Sequence, residues 1–185
     1  MKRGILTALL ILMQPMVVWA MPAWTINTAE SEIVFRYTLN GEQKKGVFRT
    51  FEATGQFSAT DPERASLDLS VATESIDLYN RLASAYATSA EWFDSKNHPD
   101  VAFRLTKLTL LEGTSYLAEG TLSMRGKSQP ATAKLDLRIN GNTALARGSL
   151  KISRGDFLLG YGPSTAVVDV GEDVTIDFRL RAKAL

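Results

Sequence analysis

Few side chains in this sequence could carry chemistry. His98 is the only histidine among 185 residues and cysteine is absent. Any Ser-His-Asp arrangement would have to recruit His98, while a cysteine nucleophile, a thiolate metal site and disulfides are all excluded. His98 precedes Pro99 in a polar turn with Asp94 and Asp100 nearby, the setting of a solvated turn histidine. Asp94, Asp100, Asp169, Glu172 and Asp173 lack the spacing of a calcium loop, and the Gly-rich phosphate and dinucleotide fingerprints are missing. The expectation is a protein without catalytic residues, without a metal and without an organic cofactor. Arg154 is the candidate contact for an anionic group, with Arg125 beside it in type.

The elements that must position these residues meet in the stretch 89–105, SAEWFDSKNHPDVAFRL. Residues 78–90 are rich in Ala and Ser and hold neither Gly nor Pro, which predicts a short helix capped by Ser75 or Asp77. Pro99 stops it. After the turn Val101, Phe103 and Leu105 alternate with Ala102, Arg104 and Thr106, the period of a half-buried strand.

Strands account for most of the remainder. Ile33, Phe35, Tyr37 and Leu39 alternate with polar or smaller neighbours before the Asn40-Gly41 turn signal. Residues 47–57 predict one longer strand bent at Gly55, and 66–71 another. Beyond the insertion, 101–111, 116–124, 133–139, 145–152 and 174–180 follow with short turns, as in an antiparallel meander. The fold class is all-β: about eight antiparallel strands, each with one apolar face, the number at which a sheet closes into a barrel around a small ligand. Ala118, Gly120, Ala146 and Gly148 fall on inward faces. Small residues there favour a hollow interior over a filled one.

Length and composition fit one exported domain. Lys2 and Arg3, the apolar run 4–13 and the small-residue site Val18-Trp19-Ala20 predict a signal peptide at 1–20, leaving 21–185 as the mature barrel domain in a periplasm or outside the cell. The apolar run is shorter than the roughly 20 residues that span a bilayer. Removing residues 1–20 takes the formal charge from +1 to −1, because Lys2 and Arg3 and no acidic residue leave with them. No basic excess points to nucleic acid.

The order of several fragments resembles the YceI-like family of exported bacterial lipid-binding proteins. They are Trp24-Thr25-Ile26-Asn27, Ser31-Glu32-Ile33-Val34-Phe35, Gly46 to Phe51 (GVFRTF), Glu74-Ser75-Ile76-Asp77, Glu91-Trp92-Phe93-Asp94 with Pro99 and Phe103, Leu122 to Ser128 (LSMRGKS) and Arg154 to Gly160 (RGDFLLG). Glu30, Leu39 and the pair Tyr86-Ala87 stand where family members often carry histidine or His-Leu. The resemblance implies a lipocalin-like barrel that binds, stores or transports a long isoprenoid, a quinone or polyprenyl lipid, with no chemistry. Phe35, Tyr37, Phe103, Leu105, Leu122, Met124 and Phe178 are then expected on the lining, Trp92, Phe93 and Phe157 near an opening, and Arg154 at the head group. The expected partners are the lipid and, in transit, a membrane or membrane protein; a homodimer is left open. The alternative is a filled interaction module with no small ligand.

Overall fold

The computed structural model describes residues 21–163 and 168–185; the expected signal peptide lies outside them. Among the described residues eleven strands are formed: β1 (Ala23–Ile26), β2 (Glu32–Leu39), β3 (Glu42–Phe48), β4 (Phe51–Gln56), β5 (Ser66–Ala72), β6 (Ile76–Asp77), β7 (Asp100–Glu112), β8 (Ser115–Met124), β9 (Lys127–Asn140), β10 (Thr143–Ser153) and β11 (Asp173–Ala184). A single helix, α1 (Arg81–Ala87), lies between β6 and β7.

The ring β1-β4-β5-β7-β8-β9-β10-β11 closes through antiparallel pairing of β1 with β11. This is an eight-stranded closed barrel. Its early strands are broken in two: β2 continues the line of β1, β3 leads into β4, and β5 leads into β6. The lower halves pair β11-β1-β4-β5 and the upper halves pair β11-β2-β3-β6. Closure without free edges along the ring removes the unpaired backbone groups that an open sheet would expose. β8 displays the cause in its sequence: Tyr116, Ala118, Gly120, Leu122 and Met124 are buried in strict alternation with less buried neighbours.

At one end the ring does not quite close. β6 pairs with β3, while β7 pairs with β5, so residues 78–99 fill the split between them. We term this the insertion end; the opposite end, where β1 meets the end of β11, is the terminal end.

Two expectations are corrected. Residues 47–57 form parts of two strands, because the backbone turns at Arg49 and Thr50. There the Arg49 N–H bonds the Ser75 carbonyl (3.1 Å) and the Thr50 carbonyl accepts from the Ala72 N–H (3.0 Å), each residue serving the upper or lower half of the next strand. Gly55 instead marks a close backbone approach, since a Cβ there would overlap the Ser66 carbonyl oxygen. The helix is shorter than expected and is capped by Asn80, whose Oδ1 accepts from the Ala83 N–H (3.0 Å). Asp77 is used one step earlier, accepting from the Tyr79 N–H (2.8 Å), where Tyr79 adopts a left-handed backbone that a helix cannot contain.

Candidate functional site

The barrel encloses a cavity of about 220 Å³. Along β11 its wall runs from Ile176 to Ala182, and along β8 from Ala118 to Met124. At the usual rise this is about 20 Å measured along a strand. The wall contains no charged side chain; Thr54, Gln56, Ser66 and Thr132 are its polar members. What keeps it open is a set of inward alanines: Ala118 faces Ala133 across β8 and β9, Ala144 faces Ala182 across β10 and β11, and Ala131 and Ala146 lie opposite Gly120 and Leu180.

The inward glycines do something else. A Cβ on Gly120 would lie 2.5 Å from the tip of the Phe103 ring, and one on Gly148 would lie 2.7 Å from that of Phe178. The rings occupy the space the glycines leave. This corrects the inference from residue size: glycine positions are filled by a neighbour's aromatic ring, and alanine positions make the hollow. Small side chains vacate volume only where nothing large reaches across from the next strand.

Of the residues singled out from the sequence, Phe103, Leu105, Leu122, Met124 and Phe178 stand on the cavity wall. Phe35 and Tyr37 pack instead into a separate cluster with Ile76, Leu78 and Ala87, beneath α1. Burial pushes the Tyr37 phenol above its ordinary pKa, opposed by nearby Lys44. Trp92, Phe93 and Phe157 do not flank an opening. Phe157, at 1% exposure, is among the most deeply buried side chains, and both Trp92 and Phe93 pack on the same core cluster. Phe93 meets Phe48, a cavity-wall residue, edge-on at 5.6 Å, and Phe48 meets Phe35 at 5.3 Å. These aromatics seal the insertion end.

Arg154 is bound to the protein itself. Its guanidinium donates to the carbonyls of Leu159 (2.7 Å), Val170 (3.1 Å) and Gly171 (3.2 Å). It also lies over the Tyr161 ring at 5.0 Å and 3.5 Å from the Glu172 carboxylate. At 13% side-chain exposure and outside the cavity wall, it pins the connection between β10 and β11. Arg125 likewise donates to the carbonyls of Leu158 and Ala90, tying that connection to the insertion. The head-group expectation for Arg154 is thus replaced by a structural role: a planar fork of donors satisfies carbonyls in irregular backbone.

His98 lies in the turn outside the cavity wall, its Nε2 4.0 Å from an Asp94 oxygen, while both Asp94 oxygens accept from the Asn97 amide. Among the described residues no group of three or more His, Asp or Glu side chains is placed to hold a metal ion.

Sequence reasoning missed the terminal end of the cavity. Trp24 and Phe57 line it with Leu108, Leu137 and the alanines; the Trp24 Nε1–H donates to the Phe57 carbonyl (3.2 Å), and the Phe57 ring meets Tyr116 edge-on at 5.9 Å. Phe57 lies one residue past β4 but continues the inward row of Phe51, Ala53 and Gly55, so alternation along the expected strand 47–57 could have found it. Leu135 and Leu137 share the inward row of Ala133 and were legible from alternation alone.

The sequence profile of the YceI-like domain matches residues 24–182. A UPF0312 protein of Pectobacterium atrosepticum is 24% identical over 135 residues, 68% of this chain and 69% of that protein. Among solved structures, Burkholderia cenocepacia BcnA superposes with a TM-score of 0.78 at 25% identity, covering 84% of this chain and 98% of that one. A polyisoprenoid binding domain from Saccharophagus degradans has the same fold, with a TM-score of 0.71 at 16% identity over 88% of this chain and 98% of that one.

Proposed function

Since the chain belongs to the YceI-like family, we propose that it binds and carries a long isoprenoid chain inside the barrel, outside the cytoplasm, after export directed by residues 1–20. The observation that carries this reading is the barrel cavity with a hydrocarbon wall and no charged side chain. Each buried methylene contributes about 0.8 kcal/mol. Ten buried carbons therefore give about 8 kcal/mol, the free energy of a micromolar Kd before ordering costs. No reacting group is needed for that, and none of the titratable residues discussed above faces the cavity. A wall without cations favours a ligand whose buried part is neutral, the tail of a quinone or a polyprenyl alcohol, over one with a phosphate drawn inside. The polyisoprenoid-binding domain that shares this fold supports the same class of ligand.

Native mass spectrometry of protein purified without detergent, followed by solvent extraction, tests the reading. A stoichiometric isoprenoid is the expected result. Protein that is empty, and stays empty after incubation with quinone and polyprenol, would overturn it and leave an interaction module in its place.

A further inference from the structure

We infer that the terminal end of the barrel is its loading mouth and that this end docks on the surface of a lipid bilayer. The inference rests on the binding reading above, which it extends by naming the docking surface and its partner.

The two ends of the barrel differ in how the cavity meets solvent. At the insertion end Phe48, Phe93 and Phe157 intervene, and no described residue of the insertion or of the connection after β10 lines the cavity. At the terminal end the inward rows of the strands run from the cavity wall out to the rim. Leu108 on β7 is followed by Leu110, and Leu137 on β9 by Ile139. Leu110 and Ile139 are 46% and 39% exposed, and Leu111 beside the first is 48% exposed. Leu110 pairs with Tyr116, which pairs with Leu135, so these side chains occupy one arc over β7, β8 and β9. An apolar surface continuous with an apolar interior lets a lipid tail leave a bilayer for the cavity with little exposure to water.

Charge argues for hydrocarbon contact over attraction to head groups. Around the rim Arg64 is set against Asp61 (3.5 Å) and Arg138 against Asp136 (2.7 Å), and Lys107 and Lys183 are matched in number by Glu63 and Glu112. Docking there should depend little on salt or on anionic lipid. The rim is also where the chain enters the barrel: the Pro22 and Ala23 carbonyls accept from Phe57 and Leu185. The opposite end carries more exposed apolar residues, Leu82 (81%) with Tyr79 and Tyr86 on the insertion and Leu158, Tyr161 and Val168 on the connection after β10, but none of these lines the cavity.

The absence of cysteine makes the test direct. An environment-sensitive fluorophore is placed on Asn142→Cys, in the β9–β10 turn of the terminal end, or on Leu82→Cys, and each protein is mixed with vesicles of phosphatidylethanolamine and phosphatidylglycerol. The Asn142→Cys probe should brighten and shift to the blue while the Leu82→Cys probe does not. Leu111→Ser combined with Ile139→Ser should lower the vesicle-bound fraction about ten-fold, with unfolding cooperative as in the parent. A response only from Leu82→Cys, from neither probe, or vesicle binding indifferent to the rim substitutions would overturn the inference. Isoprenoid content is read separately by mass spectrometry without vesicles. Protein that docks by this rim yet carries no isoprenoid would sink the binding reading and with it the loading role, leaving the docking face, and protein that carries isoprenoid but fails to dock would sink the docking face alone.

Discussion

The ring of Phe178 lies over Gly148, its direct partner across β10 and β11. A Cβ on Gly148 would come within 2.7 Å of the ring and also within 2.7 Å of the Lys134 carbonyl on β9. The ring could swing aside; a carbonyl in the sheet cannot. Gly148→Ala should therefore destabilise the barrel by about 1–3 kcal/mol through overpacking, read as a lower urea midpoint. An unchanged midpoint would mean that the wall gives more freely than this geometry allows.

The cavity owes its volume to alanines, so filling it is the sharpest test of what it holds. Ala133 faces Ala118 across β8 and β9, and both line the cavity. Ala133→Phe should cost less than about 3 kcal/mol, because the added ring enters open space and not a packed core, and should displace the bound isoprenoid. Lipid content per protein, measured after extraction, is the readout. A full complement of lipid in a folded Ala133→Phe protein would place the ligand elsewhere.

Arg154 should matter for stability and not for the ligand. A lysine in its place offers one ammonium where the guanidinium serves the carbonyls of Leu159, Val170 and Gly171. Arg154→Lys is expected to lower stability by about 1–3 kcal/mol through lost hydrogen bonds to a charged group, with the lipid profile unaltered. A changed profile at unchanged stability would restore the head-group role.

Glu172 gives the connection after β10 a dependence on acid. Its carboxylate accepts from the Ser153 hydroxyl (2.5 Å), the Gly155 N–H (2.8 Å) and the Tyr161 hydroxyl (3.2 Å). The Ser153 bond foremost holds its pKa below the ordinary carboxylate range, with the bonds from Gly155 and Tyr161 and nearby Arg154 adding to the effect against the opposing pull of burial. A folded pKa below the unfolded one means stability that is fully present above the unfolded value and is lost as pH falls through the folded value. Half-exposed as it is, the group contributes modestly. Acid should accordingly lower the protection of the Gly155 amide and of the preceding end of β10, measured relative to the intrinsic exchange rate at each pH, and Glu172→Gln should show that lower protection already at neutral pH. Equal exchange in the two proteins at neutral pH would assign the protection to the backbone alone.

Much of the architecture was legible in the sequence because it rests on local chemistry. Alternation along 116–124 and 133–139 set which side chains face inward, Asn-Gly and Arg-Gly pairs marked turns, and Pro99 ended the insertion. The breaks at Arg49-Thr50 and at Tyr79 were not legible. The first follows from hydrogen bonds to Ser75 and Ala72, partners fixed only once the strands are paired; the second is a local Asx contact between Asp77 and Tyr79 at a position where a non-glycine residue takes a left-handed backbone.

By itself the sequence determined the strands, their inward faces, the insertion between β6 and β7 and the lack of thiol chemistry, since each depends on residue type and spacing along a few neighbouring positions. The tertiary structure alone decided where space remains and which end is closed. Gly120 and Gly148 read as room in the sequence, yet Phe103 and Phe178 reach over them from neighbouring strands, while Ala118 and Ala133 face each other and leave the hollow. Phe57 read as the last residue of a strand and Phe157 as a residue near an opening. One became part of the cavity wall and the other a plug, because volume in a barrel is set by what crosses from the adjacent strand and not by the residue at the position itself.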